Sequence, residues 1–279
     1  MKNNILIVLY AVTILFGCKS HEFSVNENEQ KKKLTKNINI PIREYAIQSI
    51  LWQQHAAEYR ALSYQAFNLA QIQLDNIIAN KMDIKQPLAI VTDIDETVLS
   101  NSVYSGKQVE LDEDYNSVRW TEWVKQKKAK AIPGAFDFFN YVKSIGIEVF
   151  YISNRSIKNI DETIENLKMI GFPFADEVHV LLKDSLSEKE ARRLQIQETH
   201  EIVLLLGDNL SDFSEVFNDG STTERNNKAD SLKATFGLKF IVLPNSIYGD
   251  WETNGILEGK YDWTTFQKDS IRHKKIRSY

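Results

Sequence analysis

Two short segments of the chain each carry a close pair of acids: Asp93 and Asp95 within Thr92–Thr97, and Asp208 and Asp212 within Gly207–Phe213. Both pairs directly follow very apolar runs, Leu88–Val91 and Ile202–Leu206. Carboxylates placed there are costly to desolvate unless a counter-charge meets them. A hard divalent cation with oxygen ligands relieves that cost, and Mg²⁺ suits one or two carboxylates with retained water. Two further apolar runs end on groups that suit a phosphoryl anion. Ile147–Ile152 leads into Ser153-Asn154-Arg155, which offers a hydroxyl, an amide and a guanidinium. Val178–Leu182 leads into Lys183 and then Ser187-Glu188-Lys189. Singly, each of these is ordinary turn or helix-cap chemistry. Together, two carboxylate pairs, a hydroxyl and a lysine make a site for a cation and a phosphoryl group.

The elements that must position these groups alternate in kind. The four runs above, with Phe240–Leu243, read as strands, and residues 134–144, 158–170 and 187–198 between them carry helical periodicity. Near-continuous apolar strands alternating with helices predict a parallel sheet covered on both faces. In such a sheet a ligand lies beyond the carboxyl ends of the strands, where the acids, Ser153 and the lysines fall. Residues 42–80 read as helix without Gly or Pro, with room for one break; Trp52 and Tyr59 on it read as core. Residues 101–133 are a polar and aromatic excursion that includes Trp120 and Trp123. With the N-terminal helix they form the expected smaller helical cap. Asp219–Lys228 reads as a polar loop, and residues 266–279 as a solvated basic tail.

The chain has 279 residues, 34 Lys and Arg against 38 Asp and Glu, a net charge of -4 and one cysteine. A single cysteine excludes an internal disulfide, and no basic excess is present to hold nucleic acid. That cysteine follows a lysine-bearing start and an apolar run, Ile5–Phe16, and the ending Leu15-Phe16-Gly17-Cys18 looks like a bacterial lipobox. The expected organisation is a lipoprotein signal peptide over 1–17, a lipid-anchored flexible tether over 18–38, the folded domain over 39–265 and the basic tail. The anchor at Cys18 would hold the domain on a membrane without spanning it.

At this point the sequence resembles the haloacid dehalogenase superfamily. Asp93-x-Asp95-x-Thr97, Ser153, Lys189 and Asp208 with Asp212 resemble its four motifs. The closer resemblance is to the class C acid phosphatases, the lipoprotein e family of 5′-nucleotidases. Trp52-Gln53-Gln54, Glu58–Leu62, Asp93–Asn101, Trp120–Trp123, Tyr151–Arg155 and Gly207–Phe213 carry it, as do Leu243-Pro244-Asn245 and Tyr248-Gly249. It implies a haloacid-dehalogenase-like α/β fold and a Mg²⁺-dependent phosphomonoesterase. Asp93 is then the nucleophile, Asp95 the general acid and base, and Ser153 and Lys189 the phosphoryl-binding groups. Mg²⁺ is held by Asp93, the backbone carbonyl of Asp95, and Asp208, with Asp212 in support. Asn154, Arg155, Trp120, Trp123 and Tyr248 are implied around the substrate, a small phosphomonoester such as nicotinamide mononucleotide or another nucleoside 5′-monophosphate.

Lys183 also follows the third strand, but the Ser-x-Lys-x-x-Arg spacing around Lys189 is similar to that of the family, and the resemblance therefore implies Lys189 for the lysine role. The lipobox and the resemblance together place the protein in a bacterial cell envelope, at the outer membrane. A broad acid phosphatase or phosphotransferase without nucleotide preference stays open, as does a ligand-binding surface lipoprotein without catalysis. His55, His179 and His200 lack metal-ligand spacing, and no Gly-x-Ser-x-Gly elbow is present.

Overall fold

Five apolar segments pair in parallel at the centre of the molecule: β1 (Leu88–Thr92), β2 (Glu148–Ser156), β3 (Val180–Lys183), β4 (Glu201–Gly207) and β5 (Phe240–Val242), in the order β3-β2-β1-β4-β5. The computed structural model describes residues 40–80 and 85–279; the expected signal peptide, Cys18 and the tether lie outside the described residues. Side chains of β1 alternate between the faces of the sheet: Leu88 and Ile90 join one core cluster, Ala89 and Val91 the other. All five β1 residues are buried, as a sheet covered on both sides requires. One face packs against α5 (Ala135–Ser144), α6 (Ile160–Ile170) and the long α2 (Ala57–Ala79) through Phe67, Leu74, Phe138, Phe139 and Leu167. The other packs Phe150, Leu205, Phe213 and Phe240 against Ile196 of α7 (Glu190–Gln197).

The N-terminal helix breaks once, at Ala56, whose backbone is extended (φ -75°, ψ 132°). The break divides its work. α1 (Ile47–His55) lies against α3 (Ser102–Leu111) in the cap, whereas α2 is a layer of the main core. α4 (Ser117–Gln126), capped by the Asn116 side chain, completes the 101–133 excursion. Two local expectations need correction. The expected polar loop 219–228 is helical over Thr222–Ser231 (α8), started by a capping box of Ser221 and Glu224. The basic stretch read as a solvated tail is helical over Thr265–Lys275 (α9), with a second capping box of Thr264 and Gln267. Helix α9 buries no residue and is joined to the body by polar contacts, among them Lys268 on Asp114 and Arg272 on Glu252. Among the described residues no helix is long and apolar enough to cross a membrane.

Candidate active site

The strand order reverses beside β1, since β2 and β3 lie to one side and β4 and β5 to the other. The carboxyl ends of β1 and β4 therefore open a crevice. Asp93 sits there, its amide donating to the Leu206 carbonyl across the β1–β4 boundary (2.9 Å). β4 ends at Gly207, which brings Asp208 and Asp212 to the same place: one oxygen each of Asp93, Asp208 and Asp212 lie within 4.8 Å of one another. Gly207 is required for this. A Cβ there would stand 2.5 Å from the Asp212 side chain, so any other residue would push that carboxylate out of the cluster. The Asp212 carboxylate also accepts from the Asn209 amide (3.0 Å). Asp208 accepts from Thr97 Oγ1 (3.2 Å) and Asn245 Nδ2 (2.8 Å).

α7 begins directly after Lys189, which turns the lysine back onto the strand ends. Its ammonium donates to Asp93 and, at 2.7 Å, contacts Asp212. Three carboxylates thus share one lysine at the inner end of the cavity, with Asp93 and Asp212 buried and Asp208 partly so. Burial works against the lysine's charge, but Asp212 and Asp93 outweigh it and hold its pKa above the ordinary range. Burial pushes Asp93 up to about 7, with Lys189 opposing and Asp212 and Asp95 adding to the rise. Burial, then the charges of Asp212 and Asp93, push Asp208 well above the usual carboxylate range. This donor set fits a divalent cation, because one lysine leaves an uncompensated charge that a buried site tolerates only at a cost of several kcal/mol.

That imbalance has a measurable consequence. A carboxylate raised in the folded state contributes stability below its unfolded value of 3.8. The contribution is lost as pH climbs through the folded value of about 7. Chelated protein should therefore be weaker at pH 7.5 than at pH 4.5. Mg²⁺ at 100 times its Kd should restore about 2.7 kcal/mol, roughly 5–10 °C in Tm for a domain of this size, at pH 7.5. It should restore much less at pH 4.5, where protons hold the ligands. Equal shifts at both pH values in a thermal melt would count against the carboxylate cluster as the binding site.

Asp95 is held differently. Arg155 Nη2 and Nε donate to its Oδ1 at 2.8 and 3.0 Å, Ser153 Oγ to its Oδ2 at 2.9 Å, and Asn101 Nδ2 to its Oδ1 at 2.8 Å. Arg155, expected at the substrate, lines the cavity, and its guanidinium is held by Asp95 and Thr163. Asn154 lines the cavity, with its amide oxygen on Arg192 (2.8 Å). Lys183 ends β3 beside Ser156 and is not among the cavity-lining residues.

The aromatic residues divide. Trp120 lines the cavity, edge-on to Tyr104 at 5.0 Å and 5.6 Å from the Arg155 guanidinium. Tyr248 lines it as well, and its hydroxyl donates to Glu96. Trp123 does not line it. It is buried in the core, and its Nε1 donates to Asn101 Oδ1 at 2.8 Å, so it steadies the amide that holds Asp95. Trp52 and Tyr59 pack together in the core at 5.4 Å, as their helical spacing predicts.

The cavity measures about 460 Å³ and runs outward from Asp93. Sequence reasoning assigned no role to its outer wall. There the Arg272 guanidinium lies 3.4 Å from the Tyr45 ring centre, beside Arg43 and Lys268. Asn101 and Asn245 stood inside motif stretches, so their positions were visible and their partners were not. No local signal marks Arg272 as a pocket residue.

Comparisons with known proteins agree with this geometry. The family model described as HAD superfamily, subfamily IIIB (acid phosphatase) matches residues 3–251. The class C acid phosphatase from Bacillus anthracis superposes with a TM-score of 0.82 at 39% identity, covering 86% of this chain and 100% of that one, and a second structure of it has tungstate bound. A stem 31 kDa glycoprotein of Glycine max is 26% identical over 70% of this chain and 75% of its own length. Acid phosphatase 1 of Solanum lycopersicum is 29% identical over 44% of this chain and 50% of its own length.

Proposed function

Because the chain belongs to the subfamily IIIB acid phosphatases of the HAD superfamily, we infer that it releases phosphate from nucleoside 5′-monophosphates through an aspartyl-phosphate on Asp93, with Mg²⁺ as its cation. The coarser statement stands on the family and the structural relative: it is a phosphomonoesterase that acts on a small phosphoester, of a metal-dependent family, and carries an acidic cluster. The observation that carries the finer reading is Asp93 at the end of the central strand with Lys189 on its carboxylate.

In this reading the Asp93 carboxylate attacks phosphorus, and the bond to the substrate's ester oxygen breaks as Asp95 gives that oxygen a proton. Asp95 then takes a proton from water, which attacks the phosphorus of the aspartyl-phosphate and frees phosphate. Lys189, with three N–H donors, can keep Asp212 while meeting a phosphoryl oxygen, and the Ser153 hydroxyl, which lies on Asp95 in the free site, would have to turn to meet the same group. Asp93, Asp208 and Asp212, with the Asp95 backbone carbonyl, would hold the cation, which when bound neutralises charge on the transferring group. Tungstate is a tetrahedral oxyanion like phosphate, so its binding by the Bacillus anthracis relative supports an oxyanion site here. The aromatic wall of Trp120, Tyr104 and Tyr248 supports a planar ring on the leaving group.

The test is phosphate release by the soluble domain from nicotinamide mononucleotide, adenosine monophosphate, a sugar phosphate and an aryl phosphate, with Mg²⁺ and with chelator. Mg²⁺-dependent release that favours the two nucleotides is expected. Equal release from all four would discard the nucleotide preference and keep the phosphatase. For its location we infer a lipid anchor on Cys18 in a bacterial outer membrane, supported by the Leu15–Cys18 lipobox. Cys18→Ser should then leave activity intact and move the protein from the membrane to the soluble fraction; retention in membranes would refute the anchor.

A further inference from the structure

Glu96 follows Asp95 in the chain and takes no part in the chemistry above, yet it is 0% exposed, against 7% for Asp93. Four donors converge on it. The Asn101 amide (2.7 Å) and Gln53 Nε2 (3.1 Å) reach Oε1, while Asn101 Nδ2 (3.0 Å) and the Tyr248 hydroxyl reach Oε2. An ionised carboxylate offers about four acceptor positions, so Glu96 is saturated. Its backbone is left-handed, with φ of +59°. A non-glycine residue holds that conformation only where its surroundings over-determine it, as they do here.

Two of the four donors lead to the reaction. Asn101 Nδ2 bridges Glu96 and Asp95, and Asn101 Oδ1 is fixed from the other side by Trp123. Tyr248 places its ring in the cavity wall with its hydroxyl on Glu96. We propose that Glu96 is a positioning residue that locks Asn101 against Asp95 and the Tyr248 ring against the pocket, so that one buried group holds both the proton-transferring carboxylate and the wall that meets the leaving group. The inference rests on the proposed acid role of Asp95. A purely structural Glu96, anchoring α1 through Gln53, would affect every substrate alike.

Glu96→Gln keeps the shape and replaces one acceptor by a donor. The Tyr248 hydroxyl can turn to accept, but Asn101 Nδ2 cannot, so Asn101 loses its grip on one side. For adenosine monophosphate, kcat/KM should fall about 10- to 100-fold as proton transfer loses its alignment. An aryl phosphate, whose leaving group needs little protonation, should lose no more than about 3-fold. Asn101→Ala should show the same split, and the double variant should lose less than the product of the two single losses, because both act through one contact. Equal losses on the two substrates, or losses that multiply, would overturn the proposal. If Glu96→Gln does not fold, Asn101→Ala carries the substrate comparison alone, and a uniform loss there overturns the proposal too. Asp95→Asn on the same substrates separates the two ideas. Without its own substrate split the acid role fails and takes this inference with it. With that split present, a uniform Glu96→Gln loss removes the positioning role alone.

Discussion

Asp93→Asn is expected to lower kcat by about 10⁴-fold or more while the protein stays folded, since an amide cannot form the acyl phosphate on which both half-reactions of the proposed mechanism depend. The fold should survive because Lys189 keeps its 2.7 Å contact with Asp212. Removing one of three clustered carboxylates also eases their repulsion, so the chelated variant should melt no lower than chelated wild type. Its gain on adding Mg²⁺ should shrink, because one ligand has gone. Turnover of any substrate within 10-fold of wild type would sink the nucleophile assignment. A variant that is inactive and also melts far below wild type would leave that assignment without support, so the melt and the assay belong together.

The second large effect is a split. Asp95→Asn should lower kcat/KM for an alkyl phosphomonoester such as adenosine monophosphate by roughly 10²- to 10⁴-fold. An alkoxide leaves poorly without a proton, whereas a phenolate leaves with little help, so an aryl phosphate should lose about tenfold or less. The ratio kcat/KM is the quantity to compare, because it reports the first transfer alone. By contrast, in the proposed mechanism kcat also contains the attack of water on the aspartyl-phosphate, where the missing base would slow both substrates. Arg155 and Asn101 can keep an asparagine oxygen at position 95 as their acceptor, and the Ser153 hydroxyl, which meets the other carboxylate oxygen, can turn to accept from the asparagine NH2, so the geometry should persist. Equal losses in kcat/KM for the two substrates would rule out proton donation by Asp95.

The strand ends were legible in the sequence because they are local: an apolar run followed at once by Asp93, Ser153 or Asp208 is a pattern of a few residues. The five strands and the three helices read between them were legible for the same reason, to within about two residues at their ends except for β2, which runs on to Ser156, and α7, read from 187 but beginning at Glu190. What stayed hidden depends on distant pairs. Asn245 reaches Asp208 across 37 positions and Gln53 reaches Glu96 across 43, and no periodicity encodes such meetings. Trp120 and Trp123 lie three residues apart on one helix, yet one faces the cavity and the other the core. The break at Ala56 has no Gly or Pro to announce it. The capping boxes of α8 and α9 were readable as Ser221-x-x-Glu224 and Thr264-x-x-Gln267, but the strongly polar helices behind them lack the apolar stripe that marks a helix.

Helix α9 closes the outer side of the cavity without contributing to the core. The partly exposed ion pair Lys268–Asp114 holds on the order of 1 kcal/mol. Substitutions at Lys268 therefore carry little penalty for folding, whereas loss of Arg272 strands the buried Glu252 carboxylate; either one reshapes what the cavity admits. The domain separates a reaction centre locked by buried groups from a rim held by polar contacts. A change at the solvent-facing side of α9 can thus alter which phosphoester enters while the buried groups around Asp93 and Asp95 stay where they are.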